Sequence, residues 1–275
     1  MIDSKNWKEE TIIAFDLETT GKYPLGAEIC EMAAVKWKGG EVVDTFQTLI
    51  KPTALMSQEV INIHGISNSM VEGAPQISEK IEEFWNFVQD GYLVAHHAPF
   101  DMGFLAIEFE RKKLKFPERP VLCSSLLSRR AIPESPNHKL QTLVSFLKFP
   151  EAQAHRALDD AKQGLRLTVE CFKRIGEVKS MSDIVKYQKV KLAWSDYSIL
   201  ALKSQPSYRA LVEAAESKQP VQIVYQGGSR KGQARTVHPE GIVRTYKGDF
   251  LVAKDDLSAV VPKRYFFNKI TNSSL

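Results

Sequence analysis

The sequence predicts an α/β protein that carries a smaller, strand-rich unit in its C-terminal part. Three strand patterns open the chain, and Gly39-Gly40 marks a hairpin between the second and the third. Amphipathic helix patterns then follow up to about residue 175, interrupted by a fourth strand pattern. Beyond residue 207, short strand patterns alternate with Gly-rich turns, which is typical of a small β-barrel.

The four strand patterns of the first part are apolar or alternating runs. The first contains the apolar run Ile12–Phe15 and leads directly into two carboxylates. The second and third flank the hairpin, so we expect the first three strands to be antiparallel. In order, the patterns begin at residues 12, 28, 41 and 91.

The predicted helices carry apolar residues at helical spacing. A loop is expected at residues 150–154, before the last of them. They cover residues 78–89, 102–113, 121–131, 139–147 and a segment that ends at about residue 174.

Asp16 and Glu18 stand two residues apart at the end of the first strand. Strand side chains alternate between faces, so both carboxylates project from the same face. Two neighbouring anions repel, and burial strengthens the repulsion, so a hard divalent cation with oxygen ligands is the natural partner. The alternative is an exposed strand end with two solvated acids, and the pair alone does not decide between the two.

Further acids stand at the ends of other elements. Asp101 follows the fourth strand, close to the start of a helix, where Asp is also a common N-cap. Asp160 lies beside Asp159, and spacing alone does not choose between them. His155 and Asp160 would diverge by roughly 140° on one continuous helix, so they converge only if His155 lies in the preceding loop.

Four acids and one histidine form the set that two-metal phosphodiester hydrolysis requires. In that chemistry two divalent ions about 4 Å apart clamp the scissile phosphate. Carboxylates suit Mg²⁺ or Mn²⁺, and the three widely spaced cysteines provide no zinc set. A histidine near neutral pH can take the proton from the attacking water.

Three segments resemble the exonuclease motifs of the DnaQ-like, DEDDh family. Residues 16–21 match DxExTG, residues 95–101 contain the match to hNxxFD, and residues 155–160 match HxAxxD. Ile63–Ile66 resembles a segment that this family carries between its first two motifs. The resemblance covers about residues 9–175 and implies an RNase H-like fold, a mixed sheet with helices on both faces.

The resemblance also implies 3′→5′ removal of nucleoside 5′-monophosphates. By motif, Asp16, Glu18 and Asp160 would bind the first metal ion, and Asp16 would bridge to the second. Asp101 would complete the acidic set, partly through water, and His155 would be the general base. The motif therefore selects Asp160 over its neighbour, and the implied cofactors are two divalent cations, Mg²⁺ or Mn²⁺.

The same motifs imply contacts with the substrate around the acids. The sequence departs from the family at His97, where Asn is usual, and we expect this residue to tune substrate contact rather than metal binding. His96 and His97 are adjacent, so in a strand at most one of them points into a site. The implied substrate-binding residues are Thr19, Thr20, Gly21, His64, His97 and Phe100.

The predicted domains are an exonuclease domain at residues 1–175, a basic and partly helical linker at 176–206, and a barrel at 207–275. In the linker, Trp194 and Tyr197 are candidates for stacking on bases. The alternative is that both pack as part of a covering helix.

The C-terminal unit resembles a WYL domain, a small SH3/Sm-like barrel. The resemblance is carried by Ala214-Ala215 and by residues 221–225, 238–241, 248–253 and 263–270. Of the Trp-Tyr-Leu triplet that names these domains, only Leu251 is kept. WYL domains are associated with sensing or binding nucleic acids and nucleotides, and the alternative is a barrel that only packs or dimerises. The candidate contacts are Tyr225, Arg235, Arg244, Lys263 and Arg264.

Composition and charge restrict the remaining possibilities. A hydrophobic fraction of 43% and a charged fraction of 25% are typical of a globular protein. Residues 1–10 lack an apolar signal region, and no apolar run is long enough to cross a bilayer, so we expect a cytoplasmic protein with no membrane partner. The net charge is −3 for residues 1–175 and +7 for residues 176–275. The basic second part suggests a polyanionic partner, and the alternative is an ordinary contribution to solubility.

These patterns together predict a metal-dependent 3′→5′ exonuclease that acts on single-stranded 3′ ends of DNA or RNA. The C-terminal unit would bind nucleic acid or regulate the enzyme. The contrasting hypothesis is a non-catalytic sensor of nucleic acids or nucleotides, which would not need four acids and His155. The sequence leaves open the choice between DNA and RNA, a polymerase partner and a homodimer.

Overall fold

A computed structural model describes residues 5–150 and 155–275 of the chain. The predicted loop at 150–154 lies outside the described residues except for Pro150. The described residues form two five-stranded sheets, one in each half of the chain. The strands of the first sheet are β1 (Ile12–Thr19), β2 (Ile29–Lys38), β3 (Glu41–Leu49), β4 (Tyr92–Ala95) and β5 (Leu122–Cys123).

The first sheet is mixed and has the strand order β3-β2-β1-β4-β5. As predicted, β1 to β3 form an antiparallel meander, whereas β1 pairs with β4, and β4 with β5, in parallel. Strand β1 is therefore central, and its residues are almost all buried. This arrangement confirms the predicted mixed sheet.

Helices cover both faces of this sheet, as the resemblance implied. The alternation of side chains along β1 separates two hydrophobic clusters: Ile13 and Phe15 belong to one, and Ile12 and Ala14 to the other. The helices are α1 (Gln58–His64), α2 (Asn68–Val71), α3 (Ile77–Val88), α4 (Pro99–Arg111), α5 (Ser124–Ala131), α6 (Leu140–Phe146) and α7 (Ala157–Ile175).

Two helix starts differ from the prediction. Helix α4 begins at Pro99, so Asp101 lies in its first turn and does not cap it. Helix α5 begins at Ser124, because Leu122 pairs with Val94 and extends the sheet by a short parallel strand. The predicted helical start at Val121 is therefore wrong by three residues.

The segment after α7 packs against the first sheet. It contains α8 (Met181–Gln188), a 3₁₀ helix at Trp194–Tyr197 and α9 (Ile199–Lys203). Trp194 is buried, with its ring centroid 5.4 Å from that of Phe109 and 6.5 Å from that of Phe15. Of the two alternatives for Trp194 and Tyr197, the structure shows packing, because both side chains are at most 2% exposed.

Helix α10 (Pro206–Ser217) leads into an antiparallel sheet with the strand order β10-β6-β7-β8-β9. No ladder between β9 and β10 is found in the part of the chain that the structure describes, so closure into the SH3/Sm-like barrel stays a prediction. Strand β7 shifts register between Pro239 and Gly241. The strands are β6 (Val221–Tyr225), β7 (Ala234–Val243), β8 (Phe250–Lys254), β9 (Lys263–Phe266) and β10 (Ile270–Ser274).

Within residues 5–150 and 155–275, no helix combines the length and the apolar character needed to span a membrane.

Candidate active site

The first two acids project from the central strand of the mixed sheet. Asp16 and Glu18 continue the face of β1 that carries Ile12 and Ala14 toward α7. Immediately after Glu18 the pairing of β1 with β2 shifts register, and the chain leaves the sheet. The predicted common face of the two carboxylates is thus present at the end of a buried strand.

Three carboxylates converge at this point. Oxygen atoms of Asp16, Glu18 and Asp160 all lie within 4.8 Å of one another. The fourth acid, Asp101, is only 2% exposed, and its charge acts directly on Asp16. The structure therefore brings together the four acids that the sequence singled out, and the alternative of two solvated acids is wrong.

Asp101 is held from two sides. It occupies the first turn of α4, where the helix dipole favours a carboxylate, and it forms a hydrogen bond with the backbone of Leu17 in β1. This bond links the helix to the strand between the two acids of the first motif. The position of Asp101 is thus fixed by both elements.

Helix α7 supplies Asp160, and His155 lies in the turn before it. The backbone N–H of His155 donates to Asp160 Oδ2 at 3.0 Å, and Gln141 Nε2 donates to Oδ1 at 3.1 Å. Asp159 instead points away and lies 3.8 Å from Lys162. Of the two aspartates that spacing could not distinguish, Asp160 lies among the clustered carboxylates and Asp159 does not.

The turn at His155 has a left-handed backbone, with φ of 60°. The imidazole is exposed, and the helix begins two residues later, at Ala157. The sequence predicted that His155 approaches Asp160 only if it lies in the loop before the helix, and His155 does lie there.

Without a cation the acidic cluster is electrostatically unfavourable. The pKa of Glu18 rises to about 8, first because of burial and then because of the charges of Asp160 and Glu31. Burial, followed by the charges of Asp101 and Glu18, raises the pKa of Asp16 well above its usual range. Burial also raises the pKa of Asp101 and of Asp160. A set of clustered carboxylate oxygens that repel in this way fits hard divalent cations such as Mg²⁺ or Mn²⁺.

Sequence reasoning missed Glu31, which lies opposite Glu18 on β2. Its carboxylate is fully buried and accepts hydrogen bonds from Arg156 Nη2 at 2.9 Å and Nε at 3.2 Å. It also accepts from the backbone N–H of Ala157 at 3.0 Å and from Gln47 Nε2 at 2.8 Å. Glu31 therefore anchors the start of α7, and with it the segment from His155 to Asp160. The pairing register of β1 with β2, which places Glu31 opposite Glu18, is the feature that could have identified Glu31.

The first group of expected substrate contacts surrounds the acids. Thr19, Thr20, Gly21, His64 and Phe100 line one cleft together with Glu18. The Thr19 hydroxyl donates to the carbonyl of Gly21 at 2.8 Å, which closes the turn after β1. His64 is 3% exposed, and its Nδ1 accepts the backbone N–H of Ile66 at 3.0 Å. His64 is thus mainly a structural residue of the cleft wall.

His97 lies on a different, smaller cavity, with His96 and Arg129. Its backbone is left-handed, with φ of 67°, a conformation that Asn and His tolerate better than most residues. His97, like the Asn that is usual in the family, therefore suits the left-handed backbone of this turn. His96 points inward, where its Nδ1 lies 2.9 Å from Ser124 Oγ.

The model of a family described as Exonuclease (RNase_T) matches residues 13–168, which is more than half of the chain. The chain belongs to this exonuclease family. The matched region contains every residue of the acidic cluster and His155, and we refer to it below as the exonuclease domain.

Curated relatives share this domain. The DNA polymerase III PolC-type protein of Oceanobacillus iheyensis is 40% identical over 158 residues, which are 58% of this chain and 11% of the relative. The corresponding protein of Bacillus subtilis is 36% identical over 171 residues, 62% of this chain and 12% of the relative. The chain thus matches only about a tenth of the length of these proteins.

Solved structures share the fold. The zinc-bound complex of Escherichia coli exonuclease I with single-stranded DNA has a TM-score of 0.57 at 16% identity, over 96% of this chain and 65% of that one. The nuclease domain of 3′hExo, a DEDDh family member bound to rAMP, has a TM-score of 0.55 at 20% identity, over 64% of this chain and 98% of that one. The likeness to exonuclease I therefore includes the C-terminal part.

The basic residues that the sequence proposed as contacts in the C-terminal part are engaged internally. Arg244 bonds to Asp249 and to the carbonyl of Ser198, and Lys263 lies 2.6 Å from Asp255. Tyr225 and Arg235 are buried, and the Arg264 guanidinium stacks over the ring of Phe250 at 5.2 Å. Tyr225 and Arg235 therefore pack inside the C-terminal part, whereas Lys263 and Arg264 stay exposed at its surface.

Proposed function

We propose that this chain is a metal-dependent exonuclease that shortens DNA or RNA from single-stranded 3′ ends and releases nucleoside 5′-monophosphates. The observation that carries this proposal is the acidic cluster, in which oxygens of Asp16, Glu18 and Asp160 lie within 4.8 Å of one another and Asp101 adjoins them. Family membership supports hydrolysis of a phosphodiester as the reaction.

The cluster is built to hold cations. Asp16, Glu18, Asp101 and Asp160 would hold two divalent ions, either Mg²⁺ or Mn²⁺, with Asp16 shared between them. When bound, such ions neutralise the scissile phosphate and make a coordinated water more acidic. The protein's own contribution is to fix these four oxygen donors on β1, α4 and α7, so that no rearrangement accompanies the reaction.

His155 is the residue suited to take the proton from the attacking water. Its position beside Asp160 is set by its backbone hydrogen bond to that carboxylate and by the left-handed turn. Because the side chain is exposed, the proton can pass on to bulk solvent. Gln141 would keep Asp160 oriented during this step.

The choice of polymer and of partners is part of the proposal. The exonuclease I structure is a complex with single-stranded DNA, and the 3′hExo domain is bound to rAMP, so both polymers are reasonable substrates. The PolC-type relatives support a role beside a polymerase. The WYL-like C-terminal unit, with its excess of positive charge, would bind the nucleic acid.

The test uses 5′-labelled single strands of DNA and of RNA with the full chain, with and without Mg²⁺ or Mn²⁺. We expect a ladder of products shortened from the 3′ end and nucleoside 5′-monophosphates in the supernatant, and neither from Asp16→Asn. A wild-type protein that binds the strands but releases no monophosphate would overturn the proposal and favour the non-catalytic sensor.

A further inference from the structure

The cleft beside the acids is formed by two parts of the chain. Its volume is about 940 Å³, at the upper end of the range for ligand pockets. One wall comes from the exonuclease domain and includes Glu18 and Phe100. The other comes from the C-terminal part and includes Lys218, at the end of α10, and Lys254, at the end of β8. A ligand that extends from Glu18 into this cleft therefore meets the C-terminal part as well.

The two walls are held in place by close backbone contact. The N–H of Ile242 on β7 donates to the carbonyl of Pro24 at 3.1 Å. A Cβ atom added to Gly26 would lie 1.6 Å from the carbonyl oxygen of Glu240, and one added to Gly241 would lie 2.7 Å from Tyr23 Cβ. Contact this close is possible only because both positions are glycine.

Apolar packing strengthens the same contact. Leu25, from the loop after β1, and Ile107, from α4, belong to the hydrophobic cluster of the C-terminal part. Both side chains are at most 9% exposed. The cleft is therefore a built feature of the fold and not a gap between loosely tethered domains.

Basic side chains line the cleft on both walls. Lys22 follows the first motif, and Lys218 and Lys254 face it from the C-terminal part. Lys254 lies 3.1 Å from Glu240, which orients it, and no carboxylate of the described residues forms an ion pair with Lys218. Lys22 is 71% exposed, and its ion pair with the 79% exposed Glu59 is long, at 4.0 Å, so Lys22 remains available to a ligand.

We infer that the cleft holds the strand upstream of the reacting 3′ end, and that Lys218 and Lys254 bind its backbone phosphates. This inference rests on the proposed function, since it assumes that the 3′ terminus lies at the acidic cluster. A single strand continues from that terminus, and the cleft between the two walls begins at Glu18 of the acidic cluster. Ammonium groups on flexible stems suit phosphates irrespective of base sequence, so the cleft recognises the backbone of a single strand of DNA or RNA.

The test compares substrates with and without an upstream strand. The full chain and the Lys218→Gln/Lys254→Gln variant are assayed on a dinucleotide and on a 12-nucleotide strand of the same polymer. We expect the substitutions to lower kcat/KM on both substrates unequally. The fold-loss on the longer strand should be at least about five times the fold-loss on the dinucleotide. The slope of log(kcat/KM) against log salt for the longer strand should flatten by about 1.4, because each phosphate contact on a single strand contributes about 0.7.

A matched control removes the same charge elsewhere on the C-terminal part. Lys231 and Lys247 lie outside the cleft lining, and the Lys231→Gln/Lys247→Gln variant should match the wild type on both substrates. The inference would be overturned if Lys218→Gln/Lys254→Gln lowered kcat/KM equally on the dinucleotide and the longer strand. It would also be overturned if the two double variants lowered kcat/KM equally.

Binding without turnover separates this inference from the proposed function. Anisotropy of a labelled 12-nucleotide strand, measured without divalent cations, should show weaker binding for Lys218→Gln/Lys254→Gln than for the control. Lysine-dependent binding with no monophosphate release would contradict the proposed function alone. Monophosphate release with binding that is insensitive to the two lysines would contradict the cleft inference alone.

Discussion

Glu31 and Arg156 form a buried ion pair across 125 residues of chain, and through it β2 holds the start of the helix that carries Asp160. The Glu31 carboxylate is fully buried, whereas the Arg156 side chain is 24% exposed. Neither residue belongs to the acidic cluster. The pair therefore links the stability of the sheet to the geometry of the active site.

Replacing Glu31 by Gln should lower both stability and activity. The change leaves Arg156 without its charged partner, and because water can reach the 24% exposed Arg156 side chain, we expect a cost of about 1–3 kcal/mol. We expect a lower free energy of unfolding in urea and a reduced kcat, because the segment from His155 to Asp160 loses its anchor. A double-mutant cycle with Arg156→Gln measures the coupling. Additive effects of the two substitutions would show that the pair contributes nothing.

The Glu31 carboxylate should make the free energy of unfolding depend on pH, and the sign of this dependence follows from its pKa. Burial alone would raise the pKa of Glu31, but hydrogen bonds from Arg156, Gln47 and the N–H of Ala157 outweigh it and lower the pKa below its ordinary value of 4.5. A carboxyl group with a lowered pKa in the folded state stabilises the protein above its unfolded pKa, and this contribution is lost as the pH falls through the folded pKa.

Glu31→Gln should therefore flatten the acid limb of the stability profile. Below about pH 4.5 the free energy of unfolding of the wild type should fall more steeply than that of the variant. Urea titrations at a series of pH values from 3 to 7, compared as differences between the two proteins, measure this. Parallel profiles below that pH would contradict the assignment.

Asp16 should lower the melting temperature of the metal-free protein, and it should be required for stabilisation by a bound metal ion. The Asp16→Asn substitution removes one of four repelling carboxylates, so we expect the metal-free variant to melt at or above the temperature of the wild type. Millimolar Mn²⁺ should raise the melting temperature of the wild type by binding the folded state, and much less that of the variant. An equal shift in the two proteins would place the metal elsewhere.

His155 is tested with a substitution that respects its backbone. Asn tolerates the left-handed conformation at this position, so His155→Asn should fold and keep the N–H hydrogen bond to Asp160. We expect kcat to fall by roughly 100-fold or more, while the Mn²⁺-induced thermal shift is largely kept. A variant with wild-type turnover would exclude His155 as the base.

The contact between the two parts of the chain is tested at Gly26. A side chain there collides with the backbone of Glu240, so Gly26→Ala should destabilise the protein by about 1–3 kcal/mol. Gly73→Ala is the control, because a Cβ atom at that position meets nothing within 4 Å. Similar melting temperatures of the two variants would mean that the contact at Gly26 is not maintained in solution.

The sequence predicted the parts of the site that depend on local pattern. The common face of Asp16 and Glu18 follows from strand alternation, and the loop position of His155 was the stated condition for convergence. Glu31 was missed because its contacts depend on the register of β1 against β2 and on a partner far along the chain. The short strand at Leu122 was likewise missed, since only its parallel pairing with Val94 distinguishes it from the helix that follows.

The cleft residues of the C-terminal part were beyond sequence reasoning for a different reason. Lys218 and Lys254 belong to no motif, and only the docking of the two parts brings them into one cleft with Glu18. The excess of positive charge drew attention to this half of the chain, but the WYL resemblance proposed other residues in it, such as Arg244 and Lys263. Those side chains are occupied by Asp249 and Asp255, which no pattern in the sequence revealed.

The packing of Leu25 and Ile107 into the C-terminal cluster has a practical consequence for dissecting this protein. A fragment cut after about residue 205 would expose both apolar side chains and leave the carbonyl of Pro24 without the N–H of Ile242. Such a fragment would be prone to self-association, and a loss of substrate binding in it would not isolate the role of the removed residues. Point substitutions in the intact chain are therefore better suited than truncation to determine what each half contributes to substrate binding.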